Sequence, residues 1–197
     1  MIKLYTMNVT DIVLREVYGK MSEKRKEKLM RQKTEQAKKQ SAGAELLLNE
    51  AAKDFFPDIQ TPVIWDTDDF KKPYLPMYPD FRFNISHSGD YAVCAVSDVP
   101  VGVDIQLMRS INPSIAKKYF TEKERGYMHA ACNAEEAFYE IWVRKESLVK
   151  AVGKGLKIPL SSFCVLEDAT EYNGEKYTFT PYEFKDKSYK LCICQKG

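Results

Sequence analysis

The N-terminal stretch MIKLYTMNVTDIVLREVYGK lacks an apolar run long enough for a signal peptide or a membrane helix. That absence leads us to expect a cytoplasmic protein with no membrane partner. The five cysteines (94, 132, 164, 192, 194) are odd in number and show no Cys-x-x-Cys spacing. Without an export signal they read as reduced thiols rather than a disulfide framework. Cys94, Cys164, Cys192 and Cys194 lie in strand-like runs and read as small core residues. Only two histidines occur, and neither pairs with cysteine at a zinc spacing, which argues against a structural zinc. The phosphate-cradling GxxxxGK[ST] is missing, as are GxGxxG and the GxSxG of a hydrolase elbow. A net charge of only +2 names no partner.

What is present is enough for a real core. Apolar residues make up 44% of 197 residues, and twelve Tyr and ten Phe argue against disorder. The length suits one large domain or two small intimate ones. The charge is uneven: Lys20 to Lys39 holds nine Lys or Arg against three Glu. Such a run is either a solvated helix face or an anion-facing surface. It lacks base-stacking aromatics, so no nucleic-acid partner is expected.

In chain order, residues 2–9 read as a strand. Ser22 reads as a helix cap, with one helix from Glu23 through about Lys39. A small apolar helix follows over 41–53 and ends at Phe56-Pro57. Residues 57–82 are irregular and proline-rich; Pro73 pushes Lys72 towards an extended conformation, leaving its backbone free to meet a flat ligand. Residues 112–119 and 121–132 read as short helices, with Thr121 and Glu124 forming a capping box. Asn133 caps a long helix over 134–152 that stops at Gly153-Lys154-Gly155. Strands are predicted over 159–166, 176–184 and 189–194. Tyr91-Ala-Val-Cys94 resembles Tyr189-Lys-Leu-Cys192, which suggests two similar α+β halves with a site in the cleft between them.

Two segments carry candidate chemistry. Phe83 to Gln106, FNISHSGDYAVCAVSDVPVGVDIQ, reads as strand, turn, strand, reversal and strand. Asp104 and Gln106 point to one face of their strand while Val103 and Ile105 point to the core. A carboxylate beside a second oxygen ligand suits a hard cation such as Mg²⁺. Trp142, Glu146 and Lys150 form one row on the long helix. Beside Asp104, that row would add a second carboxylate and a phosphate-binding cation, the arrangement of phosphoryl-type transfer. His87 is either a phosphate ligand or a histidine satisfied by backbone.

FNISHSG (83–89), GVDIQ (102–106) and WVRKESLVKAVGKGL (142–156), with KKPYLP (71–76), resemble the signatures of the Sfp-type, monomeric branch of the 4′-phosphopantetheinyl transferases. The resemblance runs over most of the chain. It implies an α+β fold forming a pseudo-dimer, a single transferase unit over 1–197 with halves of about 1–100 and 101–197. It implies coenzyme A as donor, a serine of an apo acyl or peptidyl carrier protein as acceptor, Mg²⁺ as cofactor and adenosine 3′,5′-bisphosphate as leaving group. A non-catalytic coenzyme A-binding homologue is the alternative. By position, Asp104, Gln106 and Glu146 match metal ligands, and Lys150 and His87 match phosphate contacts. Arg25, Lys28 and Ser41 match the surroundings of the nucleotide 3′-phosphate, and Lys72 and Ser86 those of the adenosine. Glu146, Lys150, His87 and Asp104 are the expected catalytic set. Gln106 departs from the family's usual Glu and removes one negative charge from the metal site. An acidic carrier is expected to meet residues within 111–128 and 154–162, with Lys117, Lys118, Phe120, Lys154 and Lys157 as candidates.

Overall fold

The computed structural model describes residues 2–197, with Leu156 described by its backbone alone; Met1 lies outside the described residues. The first half runs β1 (Ile2–Asn8), a single-turn helix α1 (Leu14–Val17), α2 (Glu23–Arg31) and α3 (Glu35–Phe55). A small hairpin follows, β2 (Asp66–Thr67) with β3 (Pro73–Tyr74), and then β4 (Arg82–Ser88) and β5 (Tyr91–Ser97). The second half runs β6 (Val101–Leu107), α4 (Pro113–Tyr119), α5 (Glu122–Ala130), α6 (Ala134–Val152), β7 (Ala169–Tyr172), β8 (Glu175–Tyr182) and β9 (Tyr189–Lys196).

The strand orders are β1-β5-β4 in one sheet and β6-β9-β8-β7 in the other, with antiparallel neighbours throughout. Each sheet therefore places its first strand beside its last, and the last beside the one before it. Strand, helix, strand, strand is thus repeated, and β7 is an addition to the second copy. The sequence match that hinted at this falls on equivalent strands. Tyr91 opens β5, Tyr189 opens β9, and their rings meet edge to face at 5.0 Å.

Alternation along the strands sorts the core into three parts. Ala92, Cys94 and Val96 of β5 face Ala42, Leu47, Leu48 and Ala51 of α3. Cys192 and Cys194 of β9 face α6, where Phe138, Ile141 and Leu148 are buried. Val93 and Ala95 of β5 meet Val103 and Ile105 of β6 and Leu191 and Ile193 of β9, joining the halves. Each such fully buried aliphatic side chain contributes about 1.5–3 kcal/mol. The three buried cysteines are free thiols, and burial pushes the Cys192 thiol up to about 12.

Two expected elements need correction. The charged run 23–39 is not one helix. Its first part ends where the Gln32 N–H donates to the Leu29 carbonyl, and Thr34 begins a new helix by accepting from Ala37 N at 3.2 Å. A capping side chain outcompetes continuation through a run of good helix formers. The expected strand over 159–166 is instead a short 3-10 turn, Leu160–Ser162, and irregular chain. The Leu160 and Phe163 carbonyls there accept from Lys145 Nζ at 2.7 and 2.8 Å rather than from a neighbouring strand. The caps of α4, α5 and α6 at Asn112, Thr121 and Asn133 are as expected, including the reciprocal Thr121–Glu124 box.

Candidate active site

The site is built where β6 meets α6. Gly102 makes that meeting close: a Cβ there would lie 2.0 Å from the Ser147 carbonyl oxygen and 2.4 Å from Ala151 N. With the helix backbone against the strand, Lys150 reaches Asp104, which is only 2% exposed. Lys150 Nζ donates to Asp104 Oδ1 at 2.6 Å, to Ser86 Oγ at 2.9 Å and to the Val103 carbonyl at 2.9 Å. Ser86 Oγ donates in turn to Asp104 Oδ1 at 2.8 Å, and Gln106 Nε2 to Asp104 Oδ2 at 3.1 Å.

Glu146 lies one turn before Lys150 and is half-buried, with no hydrogen bond to its carboxylate among the described residues. Burial, and then the charge of Asp104, raises its pKa above the usual carboxylate range, while Lys150 acts against that rise. Asp104 and Glu146 are therefore close enough to feel each other's charge. Trp142, the first member of the row, stacks on Phe138 at 5.9 Å.

A second group of cations approaches from the first half. His87 leaves β4 next to Ser86, and its pKa is held below the ordinary 6.5 by desolvation and then by the positive charges of Lys150, Lys28 and Arg25. The His87 ring is solvent-exposed, so the three cations are the firmer of these causes. Lys28 is exposed and forms no ion pair among the described residues; desolvation and then Arg25 lower its pKa. Arg25 is fixed rather than free. Its Nε donates to Glu45 Oε2 at 2.8 Å and its Nη1 to Ser41 Oγ at 3.1 Å, and its guanidinium lies 5.2 Å from the Trp65 ring. Glu45 is fully buried and also accepts from Ser22 and from Trp65 Nε1. This acid joins α2 to α3 and aims Arg25. Nothing in the local pattern of a helix interior marks it for that task.

Lys72 reaches the same junction from the β2–β3 hairpin. Its Nζ donates to the carbonyls of Lys150 at 2.8 Å, Ala151 at 3.1 Å and Val101 at 3.4 Å. A cation there completes the C-terminal carbonyls of α6, and burial lowers its pKa to about 8. The Lys72 backbone N–H donates to Asp68 Oδ1 at 2.9 Å, and its carbonyl accepts from Asp68 N at 3.0 Å. The backbone expected to face a flat ligand is thus engaged within its own turn.

Among the described residues, no three His, Cys, Asp or Glu side chains gather into a metal cage. The oxygen donors at the site are the carboxylates of Asp104 and Glu146 and the amide of Gln106. So sparse an all-oxygen set fits Mg²⁺, which takes one or two carboxylates and completes its shell with water and substrate phosphate. A separate cavity of about 470 Å³, lined by residues including Tyr127, Glu136, Arg144, Tyr182 and Lys190, contains none of the predicted site residues. Of the carrier-facing candidates, Phe120 is 1% exposed and stacks on Phe138 at 5.1 Å, so it belongs to the core and not to a docking surface. Lys117, Lys118, Lys154 and Lys157 are exposed.

The chain matches two family models, "4′-phosphopantetheinyl transferase, N-terminal" over residues 11–99 and "4′-phosphopantetheinyl transferase superfamily" over residues 100–194. It is 36% identical to a 4′-phosphopantetheinyl transferase of Bacillus subtilis over 168 residues, 81% of this chain and 75% of that one. It is also 36% identical to the 4′-phosphopantetheinyl transferase Sfp of Bacillus subtilis (strain 168) over 138 residues, 66% of this chain and 62% of the relative. The mouse L-aminoadipate-semialdehyde dehydrogenase-phosphopantetheinyl transferase is 42% identical over 99 residues, 43% of this chain and 31% of that one. With relatives matched over most of its length and family models spanning both halves, the chain belongs to the 4′-phosphopantetheinyl transferases, enzymes that move the phosphopantetheinyl group of coenzyme A onto a carrier-protein serine.

Proposed function

We propose that coenzyme A binds across the junction of the halves, which together form one transferase unit over 1–197 divided near residue 100. The acceptor is the serine of an apo acyl or peptidyl carrier protein, and adenosine 3′,5′-bisphosphate leaves. The observation that carries this reading is the 2.6 Å contact of Lys150, one helical turn from Glu146, with the buried Asp104, with His87 in the field of Lys150, Lys28 and Arg25. Cationic or protonatable groups gathered near one another suit a polyanion, and the paired acids suit a divalent cation between it and the protein.

In this reading Lys28 and the fixed Arg25, with Ser41 behind it, hold the nucleotide 3′-phosphate. Lys150 and His87 hold the diphosphate, and Lys72 and Ser86 border the adenosine. Asp104, Gln106 and Glu146 would hold Mg²⁺, which supplies charge neutralisation at the diphosphate. Glu146, with its raised pKa, takes the proton of the carrier serine. The serine oxygen bonds to the β-phosphorus, the bond from that phosphorus to the bridging oxygen breaks, and the nucleotide departs with the electron pair. Lys150 compensates the charge that develops. Carrier docking falls to the α4–α5 face, where Lys117, Arg125 and His129 rim a cavity of about 500 Å³ floored by Ala116 and Met128. A basic rim over an apolar floor suits an acidic amphipathic helix. A cytoplasmic monomer is the simplest form of this enzyme; no helix among the described residues is long and apolar enough to cross a membrane.

The deciding experiment is mass spectrometry of an apo carrier protein incubated with coenzyme A, Mg²⁺ and this protein. Gain of the phosphopantetheine mass is expected. Tight coenzyme A binding without that gain would leave the non-catalytic homologue standing. In the same assay Asp104→Ala and Glu146→Gln should each lose roughly 10² to 10³ in rate, the usual cost of removing one preorganised charge contact. Near wild-type turnover in Asp104→Ala would remove this carboxylate from the mechanism.

His87 gives a pH prediction. Its depressed pKa leaves it neutral in the free protein at pH 7, and a bound polyanion favours the protonated form. The contribution of His87 to binding coenzyme A, which carries the diphosphate, should therefore grow as pH falls from about 7.5 to 6. Calorimetric titration of wild type and His87→Gln should show the gap between their affinities widening over that interval. A constant gap would mean that the ring does not take up a proton against the ligand.

A further inference from the structure

Among the described residues, β6 is paired along one edge only, by β9. The other edge lies inside the molecule, where unpaired backbone groups must find partners. Side chains supply them. Val103 N donates to Asn84 Oδ1 at 2.9 Å, Ile105 N to Ser86 Oγ at 3.4 Å, and Leu107 N to Ser88 Oγ at 3.0 Å. Two carbonyls on this edge are met by lysines, Val101 by Lys72 at 3.4 Å and Val103 by Lys150 at 2.9 Å. Alternation puts Asn84, Ser86 and Ser88 on one face of β4, so three oxygens two residues apart meet three N–H groups two residues apart. Two strands from different halves are thus held in register without pairing.

Ser86 also bonds Asp104 and Lys150 and belongs to the site itself. Asn84 and Ser88 do not. Asn84 is only 6% exposed and spends its oxygen on Val103. Val103 is then held at both ends of its contact with the edge, its N–H by Asn84 and its carbonyl by Lys150, and Asp104 is the next residue. Ser88 fixes Leu107, the residue after Gln106.

We infer that Asn84 and Ser88 are positioning residues for the transfer reaction: they hold the free edge of β6 so that Asp104, Lys150 and Gln106 keep their mutual geometry. The inference rests on the transferase reading and adds two residues that act through the edge of β6. Without Asn84 the Val103 N–H is buried and unmet, and the strand must shift or open to satisfy it.

The test compares Asn84→Ala, Ser88→Ala and Ser88→Thr with wild type, at a temperature where circular dichroism shows each to be folded. Steady-state transfer gives kcat and KM for coenzyme A, and calorimetry gives the affinity for adenosine 3′,5′-bisphosphate. A displacement of about 1 Å at reacting groups costs up to about 10² in rate, so Asn84→Ala should lose roughly 10- to 100-fold in kcat while KM and the nucleotide affinity move less than about threefold. Ser88→Ala should lose several-fold in kcat, and Ser88→Thr, which keeps the hydroxyl, should recover it. Folded variants with unchanged kcat, or with losses confined to KM, would overturn the inference while leaving the transferase reading intact. A Ser88→Thr variant no better than Ser88→Ala would overturn it equally. Wild type that transfers nothing would overturn both. Should Asn84→Ala not fold, the two Ser88 variants decide the matter.

Discussion

Gly102→Ala should cost the enzyme most of its turnover, with a fall on the order of 10² in kcat at temperatures where the protein stays folded. The added methyl carbon would meet the Ser147 carbonyl at 2.0 Å, Ala151 N at 2.4 Å and the Lys150 carbonyl carbon at 2.9 Å. All three are backbone atoms of α6, so no side-chain rotation relieves them and the helix has to move. Glu146 and Lys150 ride on that helix, whereas Asp104 and Gln106 ride on the strand. Separation of the two elements lengthens the 2.6 Å Lys150–Asp104 contact and widens the gap between the carboxylates. Overpacking of this kind typically costs about 1–3 kcal/mol in stability. The comparison to make is kcat against the thermal midpoint: a variant that melts a few degrees lower yet turns over normally would show that α6 can retreat without disturbing the site.

The largest loss of stability is expected for Lys145→Ala. Lys145 is fully buried, and its Nζ lies 2.9 Å from Glu124 Oε2. Glu124 is also fully buried, and it accepts from Thr121 N and Val165 N at 2.7 and 2.9 Å. With the Leu160 and Phe163 carbonyls, one ammonium joins α6 to the start of α5 and to the irregular chain over 159–165. Removing one partner leaves the other charge buried, which costs about 3–5 kcal/mol, against a domain stability of roughly 5–15 kcal/mol. Urea titration should show a much lower midpoint with little change in slope. A Lys145→Met, Glu124→Gln double variant, which leaves no bare charge, should recover part of the loss. A single variant within about 0.5 kcal/mol of wild type would mean the pair contributes nothing net. Lys145 precedes Glu146 in the chain, yet its work is structural; the face of α6 decides this, since consecutive residues point about a quarter-turn or more apart.

The placement of the candidate site residues on their elements is legible because those parts are short and local. Asp104 and Gln106 share a strand face, and Trp142, Glu146 and Lys150 share a helix row, by period alone. The caps at Asn112, Thr121 and Asn133 were legible because a capping side chain and its partner N–H sit two or three residues apart. The break at 32–34 is hidden in the sequence because Lys, Glu and Gln favour helix on both sides of it, and only Thr34 signals the new start. The apolar residues of 159–166 imitate a strand, but carbonyls in this segment belong to a lysine on another element.

What the sequence by itself determined is the inventory: which carboxylates, which lysines, which repeat, and on which face of each element they stand. Those follow from periodicity and from bonds between near neighbours, and chain order contains both. Only the tertiary structure decided that Gly102 is a contact point for α6, that Glu45 aims Arg25, that Phe120 is core, and that Asn84, Ser86 and Ser88 close the edge of β6. Each of these depends on the distance between segments remote in the chain, and residue spacing along one element contains no measure of that distance.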